Sequence, residues 1–389
     1  MSRSVSLDPE LNLRLFPAGA RASLHAIPSQ SGGLVSQELG VWNALLDGIG
    51  PDEHAALVVP AAEAGVTAKW CFPWLRLGGH PLQLISLAAA LHGTALERIS
   101  AQLRAAVPAF ATHLYEPPRT LVMGILNVTP DSFSDGGLWL NAEPAVEHAL
   151  RMIDEGADIL DIGGESSRPG AEEVDADEEL RRVLPVIRRL RAETQALISV
   201  DTRKASVARA CLEAGADWVN DVSGLTYDPE IADAVATFPD AKLVLMHSRA
   251  RPEGEKFSTE YAPAEAPAYE DVVADTLRWL RVQAGAAIER GVSADQLWID
   301  PGFGFGKTYE QNLELLRRLR EYTSAGLPLL VGTSRKSTVG KLTGDLPIEE
   351  RLEGTLATVA VAVAQGAAAV RVHDVKSTAR VVRAADALR

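Results

Sequence analysis

Cysteine is scarce in this chain. Its two residues, Cys71 and Cys211, stand far apart with no CxxC pair and no histidine at ligand spacing. That argues against a disulfide framework and a zinc site, and it fits a reducing cytoplasm. An excess of positive charge is also missing. The formal net charge of -14 argues against a sequence-independent grip on nucleic acid or an anionic membrane, although a small anionic substrate needs only a local basic cluster. The start, MSRSVSLDPELNLRLF, lacks the apolar segment of a secretory signal. The most membrane-like stretch, GTLATVAVAVAQGAAAV at residues 354–370, is interrupted by Gln365 and Gly366 and runs into the charged RVHDV. It reads as a buried helix followed by a buried strand. There is no GxSxG, neither cysteine sits beside a strand-end histidine, and the glycines of GFGFGK lack Walker spacing. Covalent acyl transfer and nucleotide hydrolysis are therefore disfavoured.

What is present is a repeating alternation. With 389 residues, 47% of them hydrophobic, the chain can hold one domain of barrel size and a smaller one. From Leu121 onward eight short apolar runs recur: LVMGILN, DILDIGG, LISVDT, DWVNDVSG, KLVLMH, LWIDPG, LPLLVGTS and AVRVHDV. Segments with helical periodicity, such as AVEHALRMIDEGA and EELRRVLPVIRRLRAE, separate them. This order and size predict an α/β fold, a TIM (β/α)8 barrel over residues 117–389. An open doubly wound sheet is the alternative, and the number of units favours closure. Residues 1–116 carry no regular strand and helix alternation. PLQLISLAAALHGTALERISAQLRAAVPAF reads as helical, and Pro117-Pro118 marks the boundary. This N-terminal extension is expected to pack on the barrel or extend a dimer interface, because its helices are apolar; a homodimer is expected.

Every apolar run ends in polar or glycine-rich residues: Asn127, residues 163–168, Asp201, Asn220, His247, Asp300, residues 334–336, and Arg371 with His373. In a barrel these ends converge on the face that carries active sites. A lone acid there is usually a turn or cap residue, and a lone cation is usually solvated. Together, Asp201, Asn220 and Asp300 suit a flat heterocycle with an amidine-like N–H edge. A carboxylate accepts two parallel N–H bonds, each worth roughly 1.5–3 kcal/mol. Lys336 in GTSRKS, Arg371 in AAAVRVHDV and Arg168 in GGESSRPGA add positive charge to the same rim, the pattern of an anion site. The NVTPDSFSDGG and SSRPGA segments read as lids that order around substrate. Asn127 is placed to reach a divalent ion or phosphate oxygens, and Mg2+ shared with substrate phosphates is the metal that fits. No transition-metal constellation is present.

In this order, GILNVTPDSFSDGG, GGESSRPGA, SVDTRK, VNDVSG, DPGFGFGK, GTSRKS and RVHDV resemble the motifs of the dihydropteroate synthase family. The resemblance covers about residue 119 to the C-terminus. It implies a TIM barrel that joins 4-aminobenzoate to 6-hydroxymethyl-7,8-dihydropterin diphosphate with Mg2+, releases diphosphate, and is a target of sulfonamides. By resemblance, Asp201, Asn220, Asp300 and Lys336 hold the pterin, with Met246 and Phe305 lining its slot. Asn127, Arg168, Arg371 and His373 would bind diphosphate, with Asn127 reaching the Mg2+. The 4-aminobenzoate would lie among Phe133, Ser167, Arg168, Pro169, Ser334 and Lys336. Asp201, Lys336, Arg371 and His373 would carry the chemistry, a dissociative displacement without a protein nucleophile. Asp161 falls in no motif with an assigned role. MHSRARPEGE departs from the family pattern after its histidine, and residues 1–116 match nothing in it. A methyltetrahydrofolate:corrinoid methyltransferase barrel shares the acceptor set but needs neither a diphosphate nor a 4-aminobenzoate site. A silent pterin-binding barrel would lack the cations. GGESSRPGA and GTSRKS weigh against the first, and the presence of Arg168, Lys336, Arg371 and His373 against the second.

Overall fold

The computed structural model describes residues 13–17, 42–47, 51–64, 66–71, 74–79, 87, 90, 91, 93–96, 99, 100, 117–128, 142–166, 170–248, 256–261 and 266–389. Two compact units are present, residues 1–115 with 324–326, and residues 116–323 with 327–389.

In the first unit, strands β1 (Leu13–Pro17), β2 (Trp42–Asp47), β3 (Thr67–Cys71) and β4 (Trp74–Gly79) form an antiparallel sheet in the order β1-β2-β4-β3. Helix α1 (Pro51–Glu63) joins β2 to β3 and buries Leu57 and Ala61. The sequence reading found no regular alternation here, so this sheet is a finding of the structure. The segment read as helical, residues 81–110, lies mostly outside the described residues.

The second unit is built from the eight runs named above. They form β5 (Leu121–Asn127), β6 (Ile159–Gly163), β7 (Leu197–Asp201), β8 (Trp218–Asp221), β9 (Lys242–Met246), β10 (Leu297–Asp300), β11 (Leu330–Val331) and β12 (Ala369–Val372). All their pairings are parallel, in the order β10-β9-β8-β7-β6-β5-β12-β11. Ile299 and Leu329 close the ring by a parallel bridge, and the Ile299 amide donates to the Pro328 carbonyl at 3.0 Å. Closure excludes the open doubly wound sheet. Strands covered on both faces read as near-continuous apolar runs, which is why they stood out in the sequence.

Helices follow the strands in turn: α2 (Glu143–Asp154), α3 (Ala176–Glu193), α4 (Ala205–Glu213), α5 (Glu230–Ala236), α6 (Val272–Glu289), α7 (Tyr309–Arg317), α8 (Ser337–Leu342) with α9 (Leu352–Ala364), and α10 (Val375–Asp386). Several starts are capped from the sequence. Asp175 accepts from the Glu178 amide, Asp271 from Val273 and Ala274, and Thr308 with Gln311 forms a capping box. At the opposite end from the site, Asp386 of α10 accepts from the amide and hydroxyl of Thr120, both at 2.8 Å, tying the last helix to the first strand. Among the described residues no helix is long and apolar enough to cross a membrane. The 354–370 stretch forms α9 followed by β12.

Candidate active site

Register places the site. Asn127, Gly163, Asp201 and Asn220 are successive partners across β5, β6, β7 and β8, so they form one row along the C-terminal rim. Gly163 keeps that row open. A Cβ on it would sit 3.5 Å from the Asp201 Cβ and 3.9 Å from Asn127 Oδ1. Within the ring of strand ends lies a cleft lined by Ile125, Asn220, Val222, Met246, Asp300, Phe305, Gly332, Ser334, Lys336, Arg371 and His373. The structure therefore gathers eight of the expected site residues around one space: Asn220, Met246, Asp300, Phe305, Ser334, Lys336, Arg371 and His373. Asn127 is on the rim and exposed. Phe133, Ser167, Arg168 and Pro169 lie outside the described residues, as do positions 249–255 of the MHSRARPEGE loop.

Two turns aim the cations. In GTSRKS, Arg335 adopts a positive φ of 58°, a strained backbone for a residue with a Cβ. Its guanidinium is held by Asp374 at 2.6 and 3.0 Å, its amide donates to Thr355, and its carbonyl accepts from Arg351. With Arg335 held so, its neighbours Ser334 and Lys336 both line the cleft. Lys336 donates to the Phe303 carbonyl and stands 4.4 Å from the Phe305 ring centroid. In RVHDV the period of two puts Arg371 and His373 on the cleft side while Val372 is fully buried. The Ser334 hydroxyl and His373 Nδ1 lie 3.0 Å apart.

Arg371 is the electrostatic hub. Its Nε donates to Asp161 Oδ2 at 2.5 Å and its Nη2 to Asp201 Oδ2 at 2.6 Å. Burial works against its charge, but Asp161 and Asp201 more than offset that and raise its pKa. Asp201, expected to hold the pterin, is not among the residues that line the cleft; it meets the cleft through its bond to Arg371. Burial pushes its carboxyl up to about 7, opposed by Arg371 and helped by the charge of Asp161. Burial also raises Asp300, against the pull of Lys336; Asp300 Oδ1 accepts the Gly302 amide at 2.7 Å.

Sequence reasoning missed three supports. Asp161 accepts from Arg371, from Asn220 Nδ2 at 3.2 Å and from the Ser199 hydroxyl at 2.6 Å. Arg203 and Lys204 of SVDTRK pair with Glu165 at 2.8 and 2.6 Å, at the root of the second loop, and Lys204 also meets Glu179 at 2.6 Å. Lys307, fully buried, donates to the carbonyls of Gly302 and Phe305 at 3.0 and 2.9 Å and meets His247 Nδ1 at 3.0 Å. The GFGFGK turn that presents Phe305 is thus fastened from within.

Chemically, the cleft offers buried acceptors at Asn220 and Asp300 for an N–H edge, an aromatic and thioether wall at Phe305 and Met246, and cations at Lys336 and Arg371. Comparison with known proteins bears on the family. A family model described as pterin binding enzyme matches residues 123–373. A dihydropteroate synthase of Synechocystis is 48% identical over 270 residues, 69% of this chain and 90% of that protein. One from Escherichia coli is 45% identical over 266 residues, 68% of this chain and 90% of its own length. A Clostridium difficile dihydropteroate synthase solved with pteroic acid is 44% identical with a TM-score of 0.63, covering 70% of this chain and 98% of that one. A Xanthomonas albilineans enzyme solved with 4-aminobenzoic acid is 47% identical with a TM-score of 0.63, covering 70% and 93%. The matched residues include the closed barrel and the whole acceptor-lined cleft, and the chain belongs to the dihydropteroate synthase family.

Proposed function

We propose that this chain condenses 6-hydroxymethyl-7,8-dihydropterin diphosphate with 4-aminobenzoate, giving 7,8-dihydropteroate and diphosphate. The observation that carries the reading is the meeting, in one cleft, of buried acceptors at Asn220 and Asp300 with the cations Lys336 and Arg371. The acceptors read the N–H edge of the pterin, Met246 and Phe305 flank its faces, and Asp201 adds negative charge behind Arg371. The bond from the pterin methylene to the diphosphate oxygen breaks with its electron pair leaving on diphosphate. Arg371 and His373 stabilise that departing charge. The methylene cation is stabilised by the pterin ring and by Asp201, and the aryl amine attacks it with loss of a proton. No protein nucleophile is needed, in keeping with the absent triad. Ser334 borders the space left for 4-aminobenzoate, with Phe133, Ser167, Arg168 and Pro169 assigned to its other sides and Arg168 also to diphosphate.

Asn127 fits a Mg2+ ion. It presents a hard amide oxygen on the rim, beside the gap that Gly163 leaves open towards Asp201, and Mg2+ commonly takes one or two protein ligands and fills the rest of its sphere with phosphate oxygens and water. When bound, the ion would neutralise diphosphate charge. The free, buried Cys211 supports a cytoplasmic setting. The exposed apolar face of α9 supports a homodimer. Incubation with both substrates and Mg2+ should yield dihydropteroate and diphosphate in equal amounts. Retention of pterin without product would instead point to a barrel that binds the heterocycle for another reaction.

A further inference from the structure

Asp161 occupies a position where a TIM barrel ordinarily packs branched apolar side chains. It lies in the middle of β6 and is 0% exposed. Ser199, its register partner on β7, donates to Oδ1 at 2.6 Å. Oδ2 accepts from Asn220 of β8 and Arg371 of β12. Neither β8 nor β12 neighbours β6 in the sheet, so both bonds cross the barrel interior beneath the cleft. A buried charge is costly unless paired and hydrogen-bonded, and an aliphatic residue would fill this place more cheaply. The charge is explained by what it holds.

We propose that Asp161 is a positioning residue that fixes the amide of Asn220 and the guanidinium of Arg371 for the reaction. The proposal rests on the function assigned to the cleft above. A carboxylate only accepts, so Asn220 turns its NH2 group towards Asp161 and keeps Oδ1 for an N–H donor of the ligand. Arg371 is divided between two carboxylates, one bond to each, and its other donors remain for an anion. Without Asp161, the planar fork is free to close bidentately on Asp201. That would occupy the Asp201 acceptors and turn the guanidinium away from the departing charge.

The test uses the full chain carrying Asp161→Asn, which keeps the volume and removes the charge. Its melting temperature, pterin dissociation constant, kcat and both KM values are compared with wild type. The expected result is a folded protein whose kcat falls about 10- to 100-fold, as for partners that orient functional ligands, while KM for 4-aminobenzoate changes less than about threefold. In an Arg371→Ala background, adding Asp161→Asn should change kcat by less than about threefold, since the residue through which it acts is gone. Losses that multiply fully in the double variant would overturn the proposal, as would an Asp161→Asn rate within about twofold of wild type. If Asp161→Asn does not fold, Ser199→Ala runs the same cycle with a drop of about fivefold expected. Failure of both to fold would reduce Asp161 to a structural role and overturn the proposal. A wild-type chain that binds pterin but makes no product would sink the assigned reaction and leave this inference testable. Pterin affinity should still weaken in Asp161→Asn through Asn220, and an unchanged affinity would refute it.

Discussion

Asp201 is under opposing demands. Burial favours its neutral form and places its carboxyl at about 7, yet Arg371, and in the proposed reaction the pterin cation beyond it, favour the anion. Under the proposed function a proton on Asp201 opposes pterin binding, and binding in the window below that value must release it. Pterin affinity measured by calorimetry should rise with pH through about 7 and weaken by at most about tenfold per unit below it. Asp201→Asn should bind poorly at every pH and lose the slope; a wild-type affinity that is flat across this window would refute the assignment. In the proposed reaction Arg371 answers to the departing charge. Arg371→Ala should cut kcat by about 100-fold while moving the pterin dissociation constant far less, which single-turnover rates beside equilibrium binding would resolve. Much of the cleft lining was legible in the sequence, because Asn220, Asp300, Lys336 and Arg371 stand where apolar runs break into polar turns. Asp161 was not, since it sits inside the run ILDIG with its Arg371 partner 210 residues away. Only closure of the barrel brings the two together.

The GFGFGK turn works as a unit. Gly302 has φ +67°, and a Cβ there would lie 1.9 Å from the His247 carbonyl oxygen; at Gly304 it would lie 2.7 Å from Lys336 Cδ. Backbone cannot yield as a flexible side chain can, so the two positions should differ. Gly302→Ala is expected to cost more than about 3 kcal/mol in urea unfolding, or to prevent folding. By contrast Gly344→Ala, with φ +95° and nothing within 4 Å, should cost only about 1 kcal/mol. Equal losses would mean that backbone conformation, and not the close approach, decides the matter. The barrel strands were legible for a related reason: parallel strands buried on both faces leave unbroken apolar runs. The sheet of β1 to β4 was not. Its strands are five or six residues long, and its central pair β2 and β4 is separated in sequence by α1 and β3. No local period announces that pairing.

At the scale of the whole chain, the relatives match 69% of it and about 90% of themselves, so the catalytic body is the barrel. A chain of residues 117–389 should keep kcat within about threefold of the full protein, measured as dihydropteroate release; a much lower rate would bring residues 1–116 into the reaction. The homodimer proposed above should depend on α9. Its inner side buries Thr355, Thr358, Val359, Ala362 and Val363, while Leu356, Ala357, Ala360, Val361 and Ala364 run along the opposite side, half-buried or exposed, with Val361 at 43%. Helical spacing makes these five residues a continuous apolar stripe. Such a stripe on a charged surface is the mark of an interface. A charge at its centre would have to be desolvated twice in a symmetric pair, once from each copy. Val361→Arg should therefore give a monomer by light scattering, with circular dichroism and melting of the barrel nearly unchanged because the side chain faces away from the core. A dimer that persists at micromolar concentration would place the interface elsewhere. A monomer that still turns over at the full rate would mean that each barrel works alone.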